Sequence, residues 1–185
     1  MARYAGIMDN DIVDGIDGIS VSFWTQGCPF HCPGCHNQET WDFSGGKKLP
    51  LDYASVVCKK LVNNGIKRNL SILGGEPLCK ENLDIVYHLC SYVKSYLPKT
   101  KIIIWTGYTM EQLRIVAKKD LRLKDLLNDF LDVIIDGPYK QDLRNLRLKL
   151  RGSSNQRIWH RVKRRFCFLF KNRFIWKNFT EQYNK

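Results

Sequence analysis

Three cysteines lie close together in a stretch of the sequence that glycine and proline keep from forming a helix. Cys28, Cys32 and Cys35 follow the spacing Cys-x3-Cys-x2-Cys, with His31 and His36 beside them. Clustered thiolates of this kind bind metals or carry out redox chemistry. Three types of site are therefore open: a zinc site, a thiol–disulfide redox pair, and an iron–sulfur cluster that lacks a fourth protein ligand.

The zinc and redox types each fit the sequence only in part. A structural zinc ion takes four ligands, and a second Cys or His pair farther along the chain normally completes the set. The sequence contains no second CxxC pair and no HxxxH pair. A redox pair at Cys32 and Cys35 would leave Cys28 without a role. A cubane cluster ordinarily takes four cysteines, so three would leave one iron open to bind a substrate directly.

Length and composition indicate a single domain. The chain has 185 residues, of which 44% are hydrophobic and 26% charged, as in ordinary globular proteins. No apolar run approaches the roughly 20 residues that span a bilayer, and residues 1–15 lack the apolar core of a signal peptide. We therefore expect a cytoplasmic protein without a transmembrane segment, in which clustered cysteines serve as metal ligands or catalytic thiols.

The net charge of +12 is concentrated at the C-terminus. Residues 157–185 carry nine Lys or Arg against one acid, Glu181. Because the preceding residues are only mildly basic, we do not expect the main body to bind nucleic acid. We divide the chain into a core domain, residues 1–158, and a basic and aromatic extension, residues 159–185. Basic and aromatic residues also alternate in segments that bind nucleic acid or membrane surfaces. For this extension, however, we expect a poorly ordered tail or a helix that covers the barrel.

Strand and helix patterns alternate along the core, which predicts an α/β fold with a mostly parallel sheet and the helices outside. There are too few strand–helix units for a complete eight-fold barrel, so we expect an open partial (β/α) barrel. The expected strands are residues 18–27, 69–77, 101–108, 132–138 and, more exposed, 146–152. The expected helices are residues 51–65, 81–98 and 109–131, the last broken near Asp120.

The unusual residues fall where the predicted parallel strands end. The cysteine loop follows the first strand, Gly74 and Gly75 follow the second, and Thr106 and Asp136 close the next two. Ligands of parallel α/β folds bind beyond the carboxyl ends of the strands. Four loops are therefore expected to face one site.

The cysteine spacing and the glycine pair together resemble the radical S-adenosylmethionine superfamily, and longer stretches resemble one of its families. This is the family of activating proteins of anaerobic ribonucleoside-triphosphate reductase, a glycyl-radical enzyme. The pairing of Cys-Pro-Gly-Cys with a late Arg-Gly-Ser-Ser-Asn-Gln is the most distinctive feature. The similar stretches are residues 11–43, 70–78, 102–108, 133–143 and 150–158.

The resemblance implies a cofactor-borne mechanism without a catalytic side chain. Cys28, Cys32 and Cys35 would hold a [4Fe-4S] cluster whose open iron binds S-adenosylmethionine. Reductive cleavage would give methionine and a 5′-deoxyadenosyl radical, which would take a hydrogen atom from a glycine of the partner reductase. A low-potential donor such as a flavodoxin or ferredoxin would supply the electron. An activator of another glycyl-radical enzyme, of the pyruvate formate-lyase type, is the alternative, as are a CxxC redox module and a zinc-binding module.

The resemblance also assigns the residues around the cluster. Gly74, Gly75 and Glu76 would bind the methionine part of the ligand, because glycines let the backbone approach closely. Gly34, Cys35 and His36 would lie against the adenine. A further set is expected to line the opening through which a loop of the partner enters: Thr106, Asp136, Tyr139, Ser153, Ser154 and Asn155.

Overall fold

Eight strands form one open sheet in the computed structural model, which describes residues 2–163 and 174–184. Their order across the sheet is β3-β1-β2-β4-β5-β6-β7-β8. The bounds are β1 (Arg3–Asp11), β2 (Ser20–Thr25), β3 (Lys47–Lys48), β4 (Asn69–Gly74), β5 (Ile102–Thr106), β6 (Val133–Asp136), β7 (Arg157–Lys163) and β8 (Phe174–Asn178).

The centre of the sheet is parallel, as the alternation of strands and helices predicts. Strands β2, β4, β5 and β6 run in the same direction. On one side, β1 pairs antiparallel with both β2 and β3, and on the other side, β7 pairs antiparallel with both β6 and β8. The expected α/β fold with an open sheet is confirmed: within the described residues, β3 and β8 end the sheet at opposite edges.

Helices connect the parallel strands at the expected places. The helices are α1 (Tyr53–Leu61), α2 (Leu83–Tyr96), α3 (Met110–Val116) and α4 (Leu121–Asp125), which continues into a π-helical turn, Leu126–Phe130. The predicted break near Asp120 is confirmed, because the Asp120 carboxylate accepts a hydrogen bond from the Arg122 amide at 2.9 Å and starts α4. None of the helices that the structure describes is long and apolar enough to cross a bilayer.

The two faces of the sheet pack differently. The helix-covered face forms a large core in which Phe23, Ile72 and Ile104 are completely buried against residues of α2 such as Leu89. The opposite face carries a smaller inner cluster: Ile16, Ile103, Val133, Ile135 and Ile158. Burial of one such aliphatic side chain contributes roughly 2 kcal/mol, so the strands beneath the carboxyl-end loops are firmly held.

Residues 146–152 do not form the strand that their alternating pattern predicts. They make turns instead, in a loop that is closed by hydrogen bonds from the Asn145 amide to the Gly152 carbonyl, 3.1 Å, and from the Ser154 amide to the Leu143 carbonyl, 2.9 Å. The alternating leucines do not share one environment: Leu146 is exposed, whereas Leu150 packs against the inner cluster. The expectation of a strand is wrong because an alternating pattern does not specify a neighbouring strand with which the segment could form backbone hydrogen bonds.

Most of the described part of the C-terminal extension belongs to the sheet, and only Thr180–Tyr183 form a short 3-10 turn. β7 pairs with β6, crossing the expected boundary at residue 158, and β8 pairs with β7. Trp176 on β8 donates from its indole to the Leu127 carbonyl at 3.0 Å, which ties the edge strand to the helical layer. The apolar run of the extension, residues 166–170, lies outside the described residues.

Candidate functional site

A cavity of about 440 Å³ lies at the carboxyl ends of the parallel strands, where the sequence predicts a site. Trp24 on β2, Leu73 on β4 and Trp105 on β5 line it from the sheet. All three clustered cysteines line it from the loop after β2, and the turn at Gly74 and Gly75 lines it from the neighbouring loop. The structure thus brings the predicted ligands of the cluster and the predicted glycine turn to one cavity.

The cysteine loop is held in shape by its own backbone. The Cys28 amide donates to the Trp41 carbonyl at 3.0 Å, and the Cys35 amide donates to the Cys32 carbonyl at 3.0 Å, which closes the Cys-Pro-Gly-Cys turn. Gly34 makes this turn possible with a φ of +74°, in the left-handed region that glycine favours. The His31 ring packs against Trp41, with ring centroids 4.9 Å apart.

The thiols of the cysteine loop must lose their protons before they can bind a metal. Burial raises the pKa of Cys28 to about 11, and it raises the pKa of Cys32 as well, so metal binding must displace thiol protons. Among the described residues, no three Cys, His, Asp or Glu side chains converge to hold one metal ion. In a cubane, each thiolate binds a different iron, so the three sulfurs need not converge on one point. This geometry gives the zinc alternative no support.

The glycine turn lies directly against the start of the cysteine loop. The Gly75 amide donates to the Thr25 carbonyl at 2.9 Å, and the Glu76 amide donates to the Gly27 carbonyl at 2.8 Å. A Cβ atom at Gly75 would lie 2.3 Å from the Gly27 carbonyl oxygen. Only glycine therefore lets the two backbones approach this closely.

Glu76 joins the turn after β4 to the loop after β5. Its side chain is buried, and one carboxylate oxygen accepts hydrogen bonds from the Leu78 amide, 2.9 Å, and the Thr106 hydroxyl, 2.7 Å. The other oxygen accepts from the Gly107 amide at 2.7 Å. Burial raises the pKa of Glu76 to about 7 despite these three donors. Glu76 lines the cavity while its carboxylate fixes two of the loops around it.

We expect the raised pKa of Glu76 to make the metal-free protein less stable as the pH rises. Between about pH 4.5 and 7 the unfolded chain releases a proton that the folded chain retains, so the free energy of unfolding falls by up to about 3 kcal/mol across this interval. Urea unfolding at a series of pH values measures the slope. Glu76→Gln cannot titrate and should flatten it. An equal slope in both proteins would contradict the assignment.

The cavity also contains polar groups beyond the site residues named from the sequence. The indole N–H of Trp24 is buried without an acceptor, and so is the Nε–H of Arg151. Asp14 lines the same cavity, where burial, followed by the charge of Asp11, raises its pKa to about 7. Neighbouring residues of β2 point to opposite faces of the sheet, so the burial of Phe23 in the helix-side core could have predicted that Trp24 faces the cavity. Arg151 belongs to the late Arg-Gly-Ser-Ser-Asn-Gln stretch that carries the family resemblance. Buried donors without partners are rare in folded proteins, so a ligand that accepts hydrogen bonds fits here.

The residues predicted to face a partner fall into two groups. Tyr139 and Thr106 line the cavity, and the Tyr139 ring lies edge-on to His36, which also lines it, with centroids 6.2 Å apart. Asp136 is instead fully buried, where its carboxylate accepts from the Met110 amide at 2.6 Å and pairs with Arg157.

The late Ser-Ser-Asn stretch and Gly34 lie beside the cavity rather than in its wall. None of these four is among the described residues that line it. The Ser153 hydroxyl is buried and accepts from the Lys140 amide at 3.2 Å, Ser154 is exposed, and Asn155 donates to the Pro138 carbonyl at 2.8 Å. A Cβ atom at Gly34 would lie 2.2 Å from the side-chain oxygen of Gln141. Contact of these residues with a partner or ligand stays a prediction.

Comparison with known proteins identifies an iron–sulfur domain in this chain. A family described as a 4Fe-4S single cluster domain matches residues 13–159. A protein of Enterobacteria phage T4 is 34% identical over 157 residues, which cover 85% of this chain and 93% of the relative. Its counterpart in Escherichia coli K12 is 33% identical over 151 residues, covering 81% and 93%. That of Vibrio cholerae is 36% identical over 149 residues, covering 80% and 91%.

All three relatives are named anaerobic ribonucleoside-triphosphate reductase-activating protein. The resemblance found in the sequence is thereby confirmed at the level of the family. The matched 4Fe-4S domain contains all three clustered cysteines and the glycine turn. The chain belongs to the family of anaerobic ribonucleoside-triphosphate reductase-activating proteins.

Proposed function

We propose that this protein is an oxidoreductase that cleaves S-adenosylmethionine reductively at a [4Fe-4S] cluster and thereby generates a glycyl radical on anaerobic ribonucleoside-triphosphate reductase. One observation carries the proposal: three thiols, a close-packed glycine turn and a buried unpartnered donor face one cavity at the carboxyl ends of four parallel strands. We further propose that the open sheet is the partial (β/α) barrel of the radical S-adenosylmethionine type.

Cys28, Cys32 and Cys35 are the proposed cluster ligands. When bound, the cluster supplies the electron that breaks the sulfonium carbon–sulfur bond, and its fourth iron has no cysteine ligand. The protein contributes the three thiolates and a backbone that orients them. The Asn37 amide donates to the Cys35 sulfur at 3.4 Å, a contact that orients this ligand.

The walls of the cavity fit a ligand bound beside the cluster. At Gly74 and Gly75 the wall is backbone, so the amino-acid part of S-adenosylmethionine meets no side chain there. The Trp24 indole lies on the sheet side and offers one buried donor. His36 and Tyr139 supply aromatic surface at the rim, where we place the adenine. The cavity volume, about 440 Å³, falls within the range of small-molecule sites, about 300–1,000 Å³.

The partner must bring its glycine to the mouth of this cavity. A carbon radical takes a hydrogen atom only from a group in contact with it, so a loop of the reductase has to enter far enough to touch the ligand. The names of the relatives favour the reductase over other glycyl-radical enzymes. We place the reaction in the cytoplasm, with a flavodoxin or ferredoxin as the electron donor. Residues 1–158 form the proposed core domain and residues 159–185 the proposed extension, whose described strands pair with the core sheet.

Anaerobic reconstitution tests the proposal. Protein loaded with iron and sulfide should show thiolate–iron absorbance, form methionine from S-adenosylmethionine with a chemical reductant, and produce a glycyl radical on the reductase, detected by electron spin resonance. Tight binding of one zinc ion without thiolate–iron absorbance would contradict the cluster. Methionine formation that yields a radical on pyruvate formate-lyase but none on the reductase would contradict the choice of partner.

A further inference from the structure

The loop on one side of the cavity mouth is strongly basic. This basic loop, residues 140–151, contains five Lys or Arg against a single acid, Asp142. Four of the five are exposed, and within the described part of the chain none of the four has a carboxylate at ion-pair distance. They are Lys140, Arg144, Arg147 and Lys149.

The basic loop has a fixed shape before any partner arrives. Its base is closed by the backbone hydrogen bonds at Leu143 and Asn145 described above, and the Asn145 side chain accepts from the Arg147 amide at 2.9 Å. Charges presented on a preformed loop lose little conformational freedom on binding. The loop is therefore suited to recognition rather than to a flexible connection.

The loop ends inside the cavity on a buried cation. Arg151 is only 7% exposed, lines the cavity, and donates to two neutral acceptors, the Gln156 carbonyl at 3.2 Å and the Asn184 side chain. Its Nε–H has no acceptor, and no carboxylate of the described residues pairs with it. A buried charge without a counter-ion is unfavourable, so an anionic group that reaches this wall is stabilised.

The composition of the loop favours a protein ligand over a nucleic acid. Two leucines are exposed between the basic residues, Leu143 at 40% and Leu146 at 77%. No aromatic residue occurs between positions 140 and 151, whereas single-stranded nucleic acids are bound by stacking on aromatic side chains. Exposed leucines beside unpaired cations complement a segment that carries both acidic and apolar residues.

We propose that the basic loop docks an acidic segment of the reductase and so guides the target glycine to the cavity mouth. The identity of the partner rests on the proposed function. Complementary charge speeds encounter and fixes orientation, and here the loop that carries the charge also forms part of the cavity wall through Leu148, Leu150 and Arg151.

A charge-matched pair of variants tests the docking. The first combines Arg144→Gln, Arg147→Gln and Lys149→Gln. The control combines Lys118→Gln, Lys119→Gln and Lys124→Gln, which removes the same charge from exposed positions beside α3 and on α4. Binding of each reconstituted protein to the reductase is measured at low and at high ionic strength. Methionine formation without the reductase is measured in parallel.

The loop variant should bind the reductase roughly tenfold more weakly at low ionic strength and lose most of the salt dependence. The control should stay within about twofold of the unmodified protein, and both should form methionine normally because none of the six side chains lines the cavity. Equal weakening by both variants, no weakening by the loop variant, or a single-stranded RNA oligonucleotide that displaces the reductase from the loop would overturn the docking. Absence of methionine formation in the unmodified protein would instead contradict the proposed function, since binding is measured separately.

Discussion

Replacing any one of Cys28, Cys32 and Cys35 by alanine should abolish the [4Fe-4S] cluster and, with it, methionine formation from S-adenosylmethionine. Removal of one thiolate leaves two, and no other cysteine is among the described residues that line the cavity. Two thiolates do not retain a cubane cluster. Iron and sulfide content after anaerobic reconstitution, thiolate–iron absorbance and methionine formation are the measurements.

Cys58→Ala provides the matched control. Cys58 lies on α1 and packs against the helix-side core, so its loss should leave iron content and methionine formation unchanged. The redox-module alternative makes a different prediction: activity would be lost at Cys32 or Cys35, retained at Cys28, and independent of iron. Retention of the cluster in the Cys28 variant would refute the three-cysteine assignment.

Gly75→Ala should have the second largest effect, a loss of about 1–3 kcal/mol in the free energy of unfolding together with poor retention of the cluster. The added Cβ would lie 2.3 Å from the carbonyl oxygen and 2.8 Å from the carbonyl carbon of Gly27. Both are backbone atoms next to Cys28, so the clash cannot be relieved by a side-chain rotation. The cysteine loop itself has to move. Urea unfolding of the metal-free protein and iron content after reconstitution measure the two effects.

Gly6→Ala controls for the general effect of removing a glycine. Gly6 lies in β1, and a Cβ atom there would have no neighbour within 4 Å. Its replacement should change the free energy of unfolding by less than about 1 kcal/mol and leave cluster content unchanged. If Gly75→Ala behaved like Gly6→Ala in both measurements, the close approach of the two loops would not matter for the site.

The parallel centre of the fold and the place of the site were predictable from the sequence because both depend on local patterns. The apolar run 102–104 is completely buried, as a strand covered on both faces requires. The glycine pair at the end of β4 and the cysteines after β2 then had to meet at one edge of the sheet, because parallel strands end together. The structure confirms this meeting at a single cavity.

The flanks of the sheet and part of the cavity wall depend on contacts that no local pattern records. β7 is a strand because it pairs with β6, with Ile158 opposite Ile135. The loop between the two strands contains alternating leucines, a pattern that is more typical of a strand than the sequence of β7 itself. Arg151 begins the late motif that carries the family resemblance, but its burial in the cavity could not be predicted from the sequence. Its burial follows from the path of the loop, which the Asn145 and Leu143 backbone bonds determine.

The hydrogen bonds around Glu76 bind three loops into one cooperative unit. The Gly27 carbonyl receives both the Glu76 amide and the Asn82 side chain, and the Glu76 carboxylate receives the Gly107 amide from the loop after β5. Opening any one of these loops breaks contacts that hold the other two. Local fraying is thereby suppressed, and exchange of these amide hydrogens with solvent requires a larger, sub-global opening. We therefore expect the three loops around the cavity to open together rather than one at a time.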